Sequence, residues 1–199
     1  GLVAAAAVEL GFQISDEGKK KTFIEMSGRK GLGVKADDLL NRLEENALLE
    51  VESRQKDLSH AEQKFIARQI TVGALRYFLL KFTRNTVVVF DFKEAPSFEG
   101  ETGVYCQYTA VRTNSIFRKA EENALEDAKK IISENQSQIA EILNSENEIW
   151  ALITQASRLE EIISQAISAT EPAILAKYTF SLAKAYNLFY HNHRILTEE

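Results

Sequence analysis

The chain has 199 residues, enough for one large domain or two small ones, and its 45% apolar and 27% charged residues with two prolines against nine glycines describe a soluble, ordered, mostly helical protein. That composition excludes disorder and collagen-like character, and a single cysteine, Cys106, excludes an intramolecular disulfide and with it a secreted disulfide scaffold. A net charge of −5 supplies no general field for a polyanion, so any nucleic acid must be held by a local patch and by stacking.

The apolar opening from Leu2 to Val8 is too short to span a bilayer and has no basic region before it, so no membrane targeting is expected. Residues 11–35 gather Gly11, Gly18, Gly28, Gly31 and Gly33 with Lys19, Lys20, Lys21, Arg29, Lys30 and Lys35. This density of glycine and cation reads as hairpin or loop, with Thr22 to Met26 as a short strand inside it. From Asp37 the pattern turns helical, Leu39, Leu40, Leu43, Ala47 and Val51 recurring at helical spacing, which predicts a helix over 37–54. A second helix, 59–82, opens on Ser59-His60-Ala61-Glu62, the sequence of a capping box. Its second half, Ile70 to Phe82, is apolar nearly all round and is expected to be buried between other elements.

Val87 to Phe90 is a β-branched run without a strong partner, expected to pair weakly or run extended, followed by a loop over 93–103. A third helix is expected from Gly103 through Lys119, with Ile132 as its furthest extent. Beyond a polar break at Asn144-Ser145, Ile149, Leu152, Ile153, Ala156 and Leu159 give another helix, which Leu159, Ile162, Ile163 and Ile167 continue or restart to Ser168, and Glu171-Pro172 opens the last, proline being tolerated in a first turn. The fold class is therefore mainly α, a helical bundle preceded by a small glycine-rich loop or hairpin, with the domain boundary placed at 56/57.

Two stretches carry chemistry. Met26-Ser27-Gly28-Arg29-Lys30-Gly31 puts a hydroxyl, two cations and flexible backbone together, as a phosphate cradle needs, although a solvated basic turn gives the same string and Walker A spacing is absent. In the helix after Gly103, Tyr105, Tyr108, Arg112, Ser115 and Lys119 share one face, with Gln107, Val111, Asn114 and Arg118 beside it. Aromatics for stacking, amides for base edges and cations for phosphate suit single-stranded RNA; the alternative is that the tyrosines pack in the bundle and the arginines are surface charges. The last helix repeats the idea in Asn187, Phe189 and Tyr190, of which Phe189 and Asn187 are also suited to locking that helix against its neighbours. His191 and His193 point apart on a helix, so no metal is expected, and Cys106, in an apolar stripe with Ala110 and Phe117, reads as a core thiol. Asn135-Gln136-Ser137 matches a glycosylation acceptor that a cytoplasmic chain would not use.

Met26-Ser27-Gly28-Arg29-Lys30-Gly31 followed by Asp37-Asp38-Leu39-Leu40, then Gly100-Glu101-Thr102-Gly103-Val104-Tyr105-Cys106-Gln107-Tyr108 with Arg112, and finally Asn187-Leu188-Phe189-Tyr190, resemble the arginyl-tRNA synthetase family in order and spacing over nearly the whole chain. The resemblance implies that 1–56 is the end of a catalytic domain with its signature loop and a connecting helix. It implies that 57–199 is the family's helical anticodon-binding domain without its last helix. Met26 to Gly31 would grip the phosphates of ATP, with magnesium, in the parent enzyme, Ser27, Arg29 and Lys30 acting in catalysis. The loop departs from the general KMSKS pattern at Glu25 and Gly28, which leaves Lys30, or a lysine outside this chain, as the working cation. Tyr105, Gln107, Tyr108, Arg112, Asn187, Phe189 and Tyr190 would face or position tRNA.

The expected parent function is ATP-dependent attachment of arginine to its tRNA. The nucleotide-binding strands, the HIGH signature and the arginine pocket are expected before Gly1, so this piece alone would be inactive, hold no cofactor, and meet arginine and ATP only through that missing domain. A cytoplasmic monomer partnered by arginine tRNA is expected. The alternatives are a noncatalytic tRNA-binding or helical interaction module, and a helical scaffold with no RNA role.

Overall fold

The computed structural model describes residues 1–27, 33, 35–92, 100–120 and 123–196, Lys19 through its backbone alone. The chain divides into two units, Gly1–Tyr105 and Cys106–Glu199. Ten helices are present among the described residues and no strand longer than an isolated bridge.

In the first unit Leu2 is 5% exposed and sits between two extended segments, bridging antiparallel to Ile24 and parallel to Phe90. Its N–H donates to the Ile24 carbonyl at 3.0 Å, the Ile24 N–H returns a bond at 2.7 Å, and the Val3 N–H reaches the Phe90 carbonyl at 3.1 Å. The strand expected over 22–26 is thus one residue pair deep, because helix α1 (Ala4–Glu9) begins two residues after Leu2 and turns the chain away from its partner. The extended run ending at Phe90 pairs as weakly as its sequence suggests. Within the glycine-rich stretch a single helical turn, α2 (Asp16–Lys19), interrupts what reads as loop; Ser15 caps it by accepting from the Gly18 N–H at 3.3 Å.

Helix α3 (Ala36–Arg54) and helix α4 (His60–Leu80) follow the predicted ranges closely. They pack through Ala47, Val51 and Ala67, small side chains that let the two backbones approach, and Arg68 of α4 reaches Glu44 of α3 at 2.8 Å. This packing is why the units part at Tyr105/Cys106 and not at 56/57: a boundary there would separate two helices that share a core. The other core of this unit joins Leu2, Ala6, Ala7 and Leu43 to Phe78, Phe90 and Phe92. Helix α4 buries only the face carrying Gln63, Ala67, Thr71, Ala74 and Phe78; Leu79 and Leu80 on its apolar second half remain exposed, contrary to the all-round burial its sequence suggests.

The capping box is formed as read. The Ser59 hydroxyl accepts from the Glu62 N–H at 3.3 Å, and the Glu62 carboxylate takes the Ser59 N–H at 2.9 Å and its hydroxyl at 2.7 Å. Those bonds hold the Glu62 carboxyl below its ordinary value. A lowered native pKa stabilises above the unfolded-state pKa and is lost as pH falls through the native one. Ser59→Ala removes the N-cap hydroxyl of α4, a change that usually costs about 1 kcal/mol. The gap from the parent protein should narrow as acid protonates Glu62, which urea titrations at neutral and acid pH would measure.

Helix α5 (Gly103–Lys119) begins in the first unit. A Cβ on Gly103 would stand 2.7 Å from the Tyr77 Cβ and 2.9 Å from the Gly73 carbonyl oxygen, so only glycine lets α5 start this close to α4. Tyr77 donates its hydroxyl to Glu101 at 3.3 Å and Lys81 donates to the Glu101 carbonyl at 3.1 Å, while the Thr102 hydroxyl accepts from the Tyr105 N–H at 3.3 Å. The start of α5 is thereby tied to the C-terminal end of α4.

The second unit continues with α6 (Ala124–Glu134), α7 (Gln136–Ser145), α8 (Asn147–Ser157), α9 (Leu159–Ala169) and α10 (Pro172–Asn192). The third helix does not run on to Ile132: α5 stops at Lys119 and α6 is separate. Of the two readings of the span to Ser168, the restart holds: α8 ends at Ser157 and α9 begins at Leu159, with Arg158 between them. Helices α8 and α9 pack on α10, whose Tyr178 is 9% exposed and donates its hydroxyl to the carbonyls of Gln155 at 2.9 Å and Ala156 at 3.2 Å. Those carbonyls end α8, where the Arg158 N–H is the backbone donor that reaches them, and Tyr178 supplies a second. Between α9 and α10, Thr170 adopts a left-handed conformation with φ 51°, which turns the chain so that the Glu171 N–H closes on the Ala166 carbonyl at 2.9 Å. Pro172 then occupies the first turn of α10, as predicted.

Candidate nucleic-acid interface

Tyr108 and Arg112 lie four residues apart on α5 and therefore on one face. Asn187 and Tyr190 lie three apart on α10. The fold brings the two pairs together. Arg112 donates through Nη1 to Asn187 Oδ1 at 2.8 Å and through Nη2 to the Tyr108 hydroxyl at 2.6 Å. Its guanidinium carbon stands 4.6 Å from the centroid of the Tyr108 ring and 4.6 Å from that of Tyr190, over both. A planar delocalised cation can serve two rings and a carbonyl at once where a lysine ammonium would lose most of that geometry. The Asn187 amide is oriented by its neighbours: arginine only donates, so the atom facing it is Oδ1, and Nδ2 donates to Thr109 Oγ1 at 2.7 Å.

Tyr108 remains 48% exposed although Arg112 covers one of its faces, so its exposure falls on the opposite face and the edge. Tyr190, 38% exposed, has Arg112 over its ring and Tyr186 at 6.3 Å between centroids. The cluster is therefore a row of π and cation surfaces with Tyr108 at its open end. An aromatic face held this way offers a platform for another flat ring, which is the mode by which proteins take unpaired bases.

The remaining expected residues separate into other settings. Tyr105 and Gln107 are half-buried on the first turns of α5. Phe189 stacks on His193 at 4.7 Å with 26° between the ring planes; His193 Nε2 is 3.4 Å from Glu148, and the same carboxylate accepts from Asn192 Nδ2 at 2.8 and 2.9 Å. Phe189 thus sits where the end of α10 is fastened to the start of α8. Cys106 is half-buried, but Ala110 is exposed and Phe117 is 60% exposed, so the stripe that reads as core lies largely at the surface. The buried positions of α5 are Gly103, Val104 and Thr109. Thr109, which no spacing argument picks out, is 7% exposed. Its only sequence signal is a hydroxyl in the middle of a helix, next to Tyr108.

Of the phosphate-loop residues, Met26 packs against the first core and Ser27 is half-buried; Gly28, Arg29, Lys30 and Gly31 lie outside the described residues. A cleft of about 400 Å³ in the same unit is lined by Glu9, Phe12, Gly33, Asp38, Arg42 and Glu45, among others. Arg42 there pairs with Glu9 at 3.4 Å and Glu45 at 3.1 Å. No helix among the described residues is long and apolar enough to cross a membrane.

Residues 106–199 match the DALR anticodon binding domain family, nearly coincident with the second unit and with the stretch that holds the Tyr108–Arg112–Asn187–Tyr190 cluster. An arginine-tRNA ligase of Lactococcus lactis subsp. cremoris is 35% identical over 192 residues, 96% of this chain and 31% of its own length. The chain is thus similar to arginyl-tRNA synthetases over most of its length. The arginine-tRNA ligase of Clostridium perfringens is 34% identical over 178 residues, covering 88% of this chain and 29% of that protein. Among solved structures, the arginyl-tRNA synthetase of Thermus thermophilus superposes with a TM-score of 0.67 at 27% identity, over 86% of this chain and 26% of that one. That of Plasmodium falciparum gives a TM-score of 0.69 at 24% identity over 82% and 28%, a likeness of fold. The chain spans about 30% of the length of these curated relatives.

Proposed function

We propose that the chain is the anticodon-arm-binding part, with one catalytic loop, of an arginine-tRNA ligase, an enzyme that joins arginine to its tRNA at the expense of ATP. The observation that supports this most is the coincidence of two independent facts on one stretch of chain. Residues 106–199 match the anticodon-binding family, and α5 and α10 of that unit hold Tyr108 open for stacking. Recognition must lean on stacking and hydrogen bonding, because residues 104–199 carry nine Lys/Arg against thirteen Asp/Glu.

ATP enters this reading through Ser27, Arg29 and Lys30, whose hydroxyl and cations are of the kind that grip and neutralise phosphate oxygens. The glycines beside them allow close backbone approach. Magnesium would accompany the nucleotide, bound to its phosphates. Adenine and arginine would be held by parts of the enzyme other than these 199 residues, and the cytoplasm is where such an enzyme works.

The reading predicts that this chain binds an arginine-accepting tRNA more tightly than a noncognate tRNA by fluorescence anisotropy at low salt. Affinity should fall as salt rises. Equal affinity for the two tRNAs, or none for either by a folded chain, would favour a helical module without tRNA selectivity.

A further inference from the structure

We propose that Thr109 and Asn187 are positioning residues that set the stacking face of Tyr108 through Arg112, so that a nucleobase is received by a ring whose angle is fixed from the helix interior. This rests on the RNA-binding reading above and extends it to groups that do not touch the RNA. The chain of contacts is continuous. Buried Thr109 accepts from Asn187 Nδ2 at 2.7 Å, Asn187 Oδ1 accepts from Arg112 Nη1 at 2.8 Å, and Arg112 Nη2 donates to the Tyr108 hydroxyl at 2.6 Å while its plane lies over the same ring.

Each link is directional, and so the chain transmits orientation. Arginine offers donors only, which fixes the Asn187 carbonyl towards it and leaves Nδ2 for the threonine. Without the Thr109 hydroxyl the amide loses the partner that holds its plane. Arg112 still donates to the Tyr108 hydroxyl but from a less firmly held position, and the tyrosine regains freedom that must be given up on binding. A surface tyrosine on an isolated helix would lack this preorganisation. The two helices also meet here through residues 75 and 78 positions apart, so the same bonds set α10 against α5 at the site.

Thr109→Val removes the hydroxyl at nearly constant volume, and Thr109→Ser keeps it. With a fluorescein-labelled arginine-accepting tRNA and the full 199-residue chain, Thr109→Val is expected to bind about three- to tenfold more weakly. Thr109→Ser should return to within about twofold of the parent. The slope of log affinity against log salt should be the same in all three, since no phosphate contact is removed. Circular dichroism at the assay temperature confirms folding, and should Thr109→Val not fold, Asn187→Ser, which is too short to bridge Arg112 and Thr109, carries the same expectation. Tyr108→Ala separates the outcomes. If Tyr108→Ala binds weakly while Thr109→Val binds like the parent, the positioning role is overturned and the RNA face stands. If Tyr108→Ala also binds like the parent, stacking on Tyr108 fails and takes this inference with it; if the parent does not bind, the RNA-binding reading fails as well.

Discussion

Replacing Phe78 by alanine is expected to destabilise the first unit by about 3–5 kcal/mol, the usual cost of deleting a buried phenyl ring with incomplete collapse of the space left behind. Phe78 is 3% exposed and meets Phe82 edge-on at 5.4 Å and Phe90 edge-on at 5.1 Å; Phe90 meets Phe92 in the same manner at 5.2 Å. Phe78 belongs to α4, whereas Phe90 leads back to Leu2 through a backbone bridge, so the lost ring is the one that ties the long helix to the extended segments around the N-terminus. Leu43 of α3 lies in the same core, 2% exposed, and would border the cavity. Hydrogen exchange read by mass spectrometry should show peptides from α3 and α4 losing protection by roughly a hundredfold or more, at 1.4 kcal/mol per tenfold. Phe65→Ala, on the same helix but 66% exposed, should stay within about 0.5 kcal/mol of the parent. Equal losses from both variants would mean that the aromatic cluster is not what closes this unit.

The difference between these two phenylalanines marks what could be read from sequence. Helices α3, α4 and α10 were legible because their signals are local: a leucine repeat after Asp37-Asp38, a serine and a glutamate three apart at Ser59 and Glu62, a proline at the first turn after Glu171. Which apolar residues of α4 face inwards was not legible, since Phe65, Phe78, Leu79 and Leu80 are alike in type and differ only in what lies opposite. The breaks around α6 and α7 were missed for a related reason. Asn123 and Asn135 precede those helices without any side-chain cap bond, so no capping signature announces the starts. Helix α1 was hidden in an apolar run that periodicity does not resolve, and Ile24 and Phe90, the partners of Leu2 just before it, lie far along the chain. At the interface, spacing placed Tyr108 with Arg112 and Asn187 with Tyr190. That the two pairs meet, and that Thr109 lies beneath them, is tertiary information carried by contacts 75 and 78 residues apart.

Tyr108→Ala is expected to produce the largest loss of RNA binding, roughly ten- to hundredfold, as one base–aromatic stack contributes about 1–3 kcal/mol. The argument turns on charge. With the second unit acidic, a long row of phosphate contacts cannot carry affinity as it does for a basic domain, and a single well-held stacking surface takes a greater share. Tyr108 is the group that fits: nearly half exposed, one face already backed by a guanidinium, its hydroxyl accepting at 2.6 Å. Tyr108→Phe keeps the ring and removes the hydroxyl, so it isolates the orienting bond from the stack; its loss should be a few-fold, near 1 kcal/mol or less. Arg112→Ala should weaken binding too, but mainly by releasing both rings and Asn187. Its salt slope should therefore fall by less than the roughly 0.7 that losing one phosphate contact to a single strand would cause. Anisotropy titrations of the four proteins across a salt series would measure both quantities. A full-unit drop in slope for Arg112→Ala with Tyr108→Ala unaffected would transfer the binding role from the ring to the cation, and the open face of Tyr108 would then be surface without a function in RNA binding.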